Sequence, residues 1–175
     1  MAPVPSPPVQ VRAVALVPLR VIAPLATVDT SVWGAILWRA LHAASVAAND
    51  RSQIGAWNAL AEALRTGIPC PDCSAHYNAW YNSHPLKFSV VASTRLMNPM
   101  ARGRRTAPAP IQATTVGWVL DLHNNVNQRL GKAGWSFDQV VSEYGSAAAA
   151  AAAELQGLRG VIGDNLFDAL SVFLR

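Results

Sequence analysis

Cysteine is nearly absent from this sequence: there are two in 175 residues, Cys70 and Cys73. Two thiols cannot build the disulfide framework of a small secreted domain, and a chain this long can bury a core without one. Lysine is equally scarce, only Lys87 and Lys132, so the formal charge of +4 rests on arginine. Charged residues make up 14% against 51% hydrophobic, which excludes disorder across the whole chain, although an alanine-rich tail inflates the second figure. Also missing is an uninterrupted apolar run of the ~20 residues that a membrane-spanning helix needs. Residues 8–28 come nearest, but Arg12 and Arg20 interrupt them and Pro18 and Pro24 break them. The start, Met1-Ala2-Pro3-Val4-Pro5-Ser6-Pro7-Pro8, lacks the basic n-region of a signal peptide, and no good amphipathic presequence follows. No internal repeat emerges. The expectation is a soluble protein with a disordered or irregular arm over residues 1–28.

What is present organises as helices. Asp29-Thr30-Ser31 offers N-cap candidates ahead of an apolar run at 32–48, in which Trp33, Leu37 and Leu41 form one stripe. Asn49-Asp50 closes that run and caps a second helix at 52–66, with Ile54, Trp57, Leu60 and Leu64 on one face and Gly67 as its stop. A third helix is predicted at 71–83, closed by His84-Pro85. Residues 86–112 are poorly periodic and contain Pro99, Gly103, Pro108 and Pro110, the signature of a long loop. Its Arg95, Arg102, Arg104 and Arg105 read first as a solvated cluster, with a phosphate or nucleic-acid contact as the other readings. A fourth helix follows at 113–130, stopped by Gly131, and a short fifth runs from Ser136 to about Tyr144-Gly145.

Beyond residue 146 a run of alanines reads as a helical spacer, because alanine favours helix but offers little packing area. The last segment, with Val161, Ile162, Leu166, Phe167, Leu170 and Phe173, is amphipathic; it could dock on the core, pair with a partner or touch a membrane surface. The fold class is therefore all-α: a four-helix bundle with a short fifth helix over residues 29–145, plus an irregular N-terminal arm and an Ala-rich C-terminal helical extension at 146–175.

Cys70-Pro71-Asp72-Cys73 holds the chemistry. If Pro71 takes the first helical position, Cys70 is the N-cap and Cys73 lies one turn in, so both sulfurs stand near free N–H groups and the positive end of the helix dipole. That setting favours thiolate, and the Asp72 carboxylate opposes it. Three readings follow: a zinc site completed by His76 and His84, a thioredoxin-like protein, or a redox pair working against a cofactor held by helices. The second needs a strand before the cysteines, and the flanks show none. The third has support elsewhere. Trp38 and His42 are four apart, as are His123 and Asn127, with Leu130 continuing that stripe and Asn124 beside it; His76-Tyr77 lies one turn after Cys73. A flat heteroaromatic cofactor needs such rings to stack on and such amides for its polar edge.

Three blocks carry a resemblance: Trp33-Gly34 with Leu37-Trp38-Arg39-Ala40-Leu41-His42, then Cys70-Pro71-Asp72-Cys73-Ser74-Ala75-His76-Tyr77, then His123-Asn124-Asn125-Val126-Asn127-Gln128-Arg129-Leu130-Gly131-Lys132. In order and interval they resemble the Erv/ALR family of FAD-linked sulfhydryl oxidases over about residues 31–144, apart from the enlarged loop. The resemblance implies a helical bundle holding FAD, a homodimer, and oxidation of protein dithiols with electrons passing through FAD to O2 to give H2O2. It implies that Cys73 is the flavin-proximal sulfur and that Cys70 is the one attacked by substrate. Gly34, Trp38, His42, His76, Tyr77, His123, Asn124, Val126, Asn127, Leu130 and Lys132 match positions lining the FAD site, with Lys132 suited to the pyrophosphate. The implied partner is a thiol protein, such as a small or thioredoxin-like dithiol carrier. Neither nucleic acid nor a metal is implied, and nothing supports membrane contact by the last helix.

Departures from the family pattern are informative. Ala35 stands where many members have arginine. The cysteines of a structural disulfide, expected near Leu120 and Phe137, are absent, as is the shuttle pair of many cellular members. That minimal set is similar to members encoded by large DNA viruses, which points to host cytoplasm or the virion rather than the mitochondrial intermembrane space. The competing reading is a non-catalytic helical interaction module with a zinc or structural CxxC site.

Overall fold

The computed structural model describes residues 29–88 and 110–175. The irregular arm expected at 1–28 and the arginine cluster Arg95, Arg102, Arg104 and Arg105 lie outside the described residues. Within them the chain forms seven α-helices and no strand, an all-α fold as expected.

Helix α1 (Thr30–Ala47) starts where the Asp29 carboxylate accepts the Ser31 N–H at 2.8 Å. From Ala40 to Val46 every residue of α1 is buried, so this helix is the axis of the molecule. Small side chains at Ala40, Ala43 and Ala44 let neighbours approach closely on several sides. Asp50 and Gln53 form a reciprocal capping box around a short 3-10 turn, Arg51–Gln53, which leads into α2 (Ile54–Gly67). Helix α3 (Pro71–Ser83) occupies the expected span, with Pro71 at its first position and Cys70 as N-cap.

Helix α4 (Pro110–Arg129) begins three residues before the predicted 113, which shortens the long loop. Pro110 was a loop signal by composition, yet proline is tolerated in a first turn, where its missing N–H has no intrahelical partner anyway. Helix α5 (Phe137–Tyr144) is capped by Ser136 and Gln139, again reciprocally. Helix α6 (Ala148–Leu155), a 3-10 turn at Gln156–Leu158 and α7 (Asp164–Ser171) complete the chain.

The alanine run is helical but does not act as a spacer. Helix α6 packs on α1, burying Ala151 and Leu155, and α7 packs on α2, burying Leu166, Phe167 and Leu170. Of the three readings for the last segment, docking on the core is the one observed. The small alanine side chains that suggested little packing instead permit a close helix–helix approach.

One large apolar cluster joins α1, α2, α3, α4, α6 and α7. A second contains Val46, Val116, Leu120 and Val140, with Trp135, Phe137 and Tyr144 packed against it. Leu120 and Phe137 share this second cluster, so α4 and α5 are joined by apolar contact where the resemblance would place a clamping disulfide. No helix among the described residues is long and apolar enough to cross a membrane.

Candidate functional site

Cys70 and Cys73 form a disulfide with Cα atoms 5.2 Å apart. The Cys70 sulfur also accepts the Cys73 backbone N–H at 3.2 Å, filling the N-cap role that serine or aspartate usually takes. Ser74 and Asn78 fasten the first turns of α3 to the end of α2: the Ser74 hydroxyl and the Asn78 amide both donate to the Arg65 carbonyl, at 2.9 and 3.0 Å. The Tyr77 hydroxyl adds a third tie, donating to Ala61 O at 2.7 Å. The redox pair therefore sits on a helix start held at several points.

Beside it lies a cavity of about 490 Å³ with a mainly apolar wall, within the ordinary size of a ligand pocket. Helices α1, α3 and α4, the end of α2 and the turn after α4 form the wall. Of the expected site residues, Gly34, Trp38, Cys73, His76, Tyr77, His123, Val126, Asn127, Leu130 and Lys132 line it. The two sulfurs are not equivalent: Cys73 is in the wall and Cys70 is outside it.

Two expected wall residues stand behind the wall. His42 is fully buried, and its Nε2 lies 2.7 Å from Nδ1 of His123. Asn124 uses both ends of its amide on Trp135, donating to the carbonyl at 2.9 Å and accepting the N–H at 2.7 Å. Its neighbour Asn127 donates to Ala133 O at 3.2 Å, and its backbone carbonyl accepts the Lys132 N–H at 2.8 Å. Together with Gly131, whose φ of +67° is open to glycine at little cost, the two asparagines fold the turn that brings Lys132 to the cavity. Amides that spacing offered to a ligand thus work largely on the protein's own backbone.

An aromatic stack backs the site. The Trp38 and His123 rings lie 4.2 Å apart and nearly parallel, and Tyr144 stacks on His42 at 4.9 Å. Burial lowers the pKa of His42 to about 3, aided by His123; burial lowers that of His123 to about 4, aided by Lys132. Both rings are neutral near pH 7, so one donates to the other. Nδ1 of His42 is buried with no hydrogen-bond partner among the described residues. A bare acceptor is tolerated better there than an orphan N–H, so His42 carries its proton on Nε2 and donates to His123. His123, which lines the cavity, then holds its own proton on Nε2. Burial and Arg129 also lower the His76 pKa.

Arg129 was not singled out from the sequence, yet it lines the cavity with Lys132. Its signal was available: it lies three residues after Val126, on the same helix face. Ala35, where arginine was the family expectation, is also in the wall, so the cavity's cations come from the end of α4 and the turn beyond. The zinc reading fails on geometry. His84 closes the far end of α3, about 20 Å along the helix from Cys70, with its ring stacked on Trp80. Among the described residues no group of three or more His, Cys, Asp or Glu is arranged to hold a metal ion.

No curated protein and no solved structure matches the chain. The Erv1/Alr family model does, over residues 35–145, a stretch that includes both cysteines and most of the cavity wall. The chain belongs to the Erv1/Alr family, a family of sulfhydryl oxidases.

Proposed function

We propose that this protein is an FAD-linked sulfhydryl oxidase that forms disulfides in a thiol protein, using O2 as final acceptor. The observation that carries this reading is the split placement of one disulfide. Cys73 faces a cavity lined by stacked rings and cations, while Cys70 stays outside it at a helix start.

The cavity's chemistry fits FAD. The Trp38–His123 stack offers a flat surface, the His123 N–H and the Asn127 amide oxygen offer polar contacts, and Arg129 and Lys132 offer counter-charge for a pyrophosphate. When bound, FAD would supply the two-electron acceptor that returns the cysteine pair to its disulfide and passes the electrons to O2, giving H2O2.

The chain's own residues account for the thiol chemistry. A substrate thiolate attacks the Cys70 sulfur, forming a mixed disulfide and releasing Cys73 as thiolate. The substrate's second thiolate then attacks its own sulfur in that mixed disulfide, leaving the substrate oxidised and Cys70 free. The α3 N-terminus stabilises the departing thiolate, and Asp72 at the second helical position moderates that effect. With no third cysteine in the chain, electrons must arrive directly at Cys70. Host cytoplasm or the virion is the setting proposed.

Purified protein should be yellow and consume oxygen with a dithiol. Cys70→Ser and Cys73→Ser should each abolish that consumption while flavin stays bound, and Lys132→Ala should lower flavin retention. Colourless protein, or oxygen uptake that persists in both cysteine variants, would refute the reading.

A further inference from the structure

We propose that residues 146–175 take the place of a partner subunit: they cover the outer face of α1 and α2, so the folded chain is a monomer. The family match ends at residue 145, and α6 and α7 lie wholly beyond it. These helices rest on the two helices of the matched core, α6 on α1 and α7 on α2. Without them that face would be apolar and bare, and a bare face of that kind must be covered by something.

The contact has the marks of an interior. Trp57 of α2 has no exposed surface, and its ring lies 4.9 Å from that of Phe173. Leu166 and Leu170 are likewise fully buried, and Arg39 of α1 pairs with Glu154 of α6. Where α7 begins, the Gly163 N–H donates to the Gly67 carbonyl at 2.9 Å. A Cβ on Gly67 would fall 2.5 Å from Leu166 Cβ, and one on Gly163 would fall 2.8 Å from Gly67 Cα. Backbones meet here at a distance that excludes any side chain, which marks a specific fit.

With the cover in place, little remains for a second copy. Among the described residues the exposed large hydrophobics are Val32 in α1, Leu130 just past α4 and Val172 just past α7. A stable dimer buries about 800 Å² per partner around an apolar centre, and three separate side chains do not supply it. The homodimer implied by the family resemblance finds no other apolar face among the described residues.

The test is the mass of the full-length chain with its bound cofactor, by sedimentation equilibrium up to roughly 100 µM, where even weak association registers. The expected mass is that of one 18.6 kDa chain throughout; twice that mass overturns the proposal, whether the dimer is swapped or not. Hydrogen exchange on the same sample tests the cover. Amides of α6 and α7 should exchange as slowly as those of α1, and rapid exchange there overturns it. Leu166→Asp should then add concentration-dependent association. If that variant stays helical and monomeric, the cover is not what keeps the chain single; if it unfolds, exchange on the native chain decides.

Discussion

His42 and His123 sit 2.7 Å apart, and burial keeps both uncharged. Their folded pKa values, about 3 and about 4, lie below the ordinary 6.5 of an unfolded chain. The sign of the pH effect follows. Between pH 6.5 and 4 the unfolded chain binds two protons that the folded chain does not, so stability is full above 6.5 and falls as the pH drops. His76 contributes in the same direction. Urea unfolding at a series of pH values should show this fall beginning well above the carboxylate range. The His42→Gln, His123→Asn double variant should flatten it; a curve level from 6.5 to 4 in the unaltered protein would exclude the neutral pair. Spacing brought these histidines onto facing helices, but it did not show which would face the cavity. That depended on tertiary packing, which put His42 behind the wall under Tyr144.

Local signals located most of the elements. Asp29, Asp50 and Ser136 each satisfy backbone groups within a few residues, Pro71 brings no N–H that would need a partner, and all four were readable as caps or starts; the Gln53 and Gln139 side chains that complete two of the caps were not singled out. Gly67 is the instructive case. It reads as a helix stop, but it has ordinary helical backbone and lies inside α2, with Ile68 as the C-cap. Its reason for being glycine lies about 100 residues away, in Leu166 and Gly163, and no local pattern could reveal that. Gly67→Ala should therefore destabilise the protein by about 1–3 kcal/mol, as overpacking does, although alanine is the better helix former. Thermal melts of Gly67→Ala beside Gly55→Ala separate the causes. A Cβ at Gly55 meets nothing within 4 Å, so that second substitution should be neutral or stabilising.

At the scale of the whole molecule, the segment beyond 145 decides how the protein unfolds. An alanine spacer with a loosely attached helix would melt separately from the bundle. Packed as observed, α6 and α7 share one apolar cluster with α1, α2, α3 and α4, so all should melt together. Leu170 is fully buried in α7, and Leu170→Ala removes its contacts with no polar compensation. Such a change costs about 2–5 kcal/mol, and each kcal/mol moves Tm by roughly 2–4 °C in a chain of this size. The variant should therefore lose roughly 4–20 °C across a single transition, with far-UV circular dichroism and tryptophan fluorescence coinciding. Trp57 makes the second probe informative, since it lies in α2 against Phe173 and responds where the two segments meet. A main transition left unmoved by Leu170→Ala, with a separate early loss of helix, would mean that the C-terminal segment is an appendage rather than part of the core.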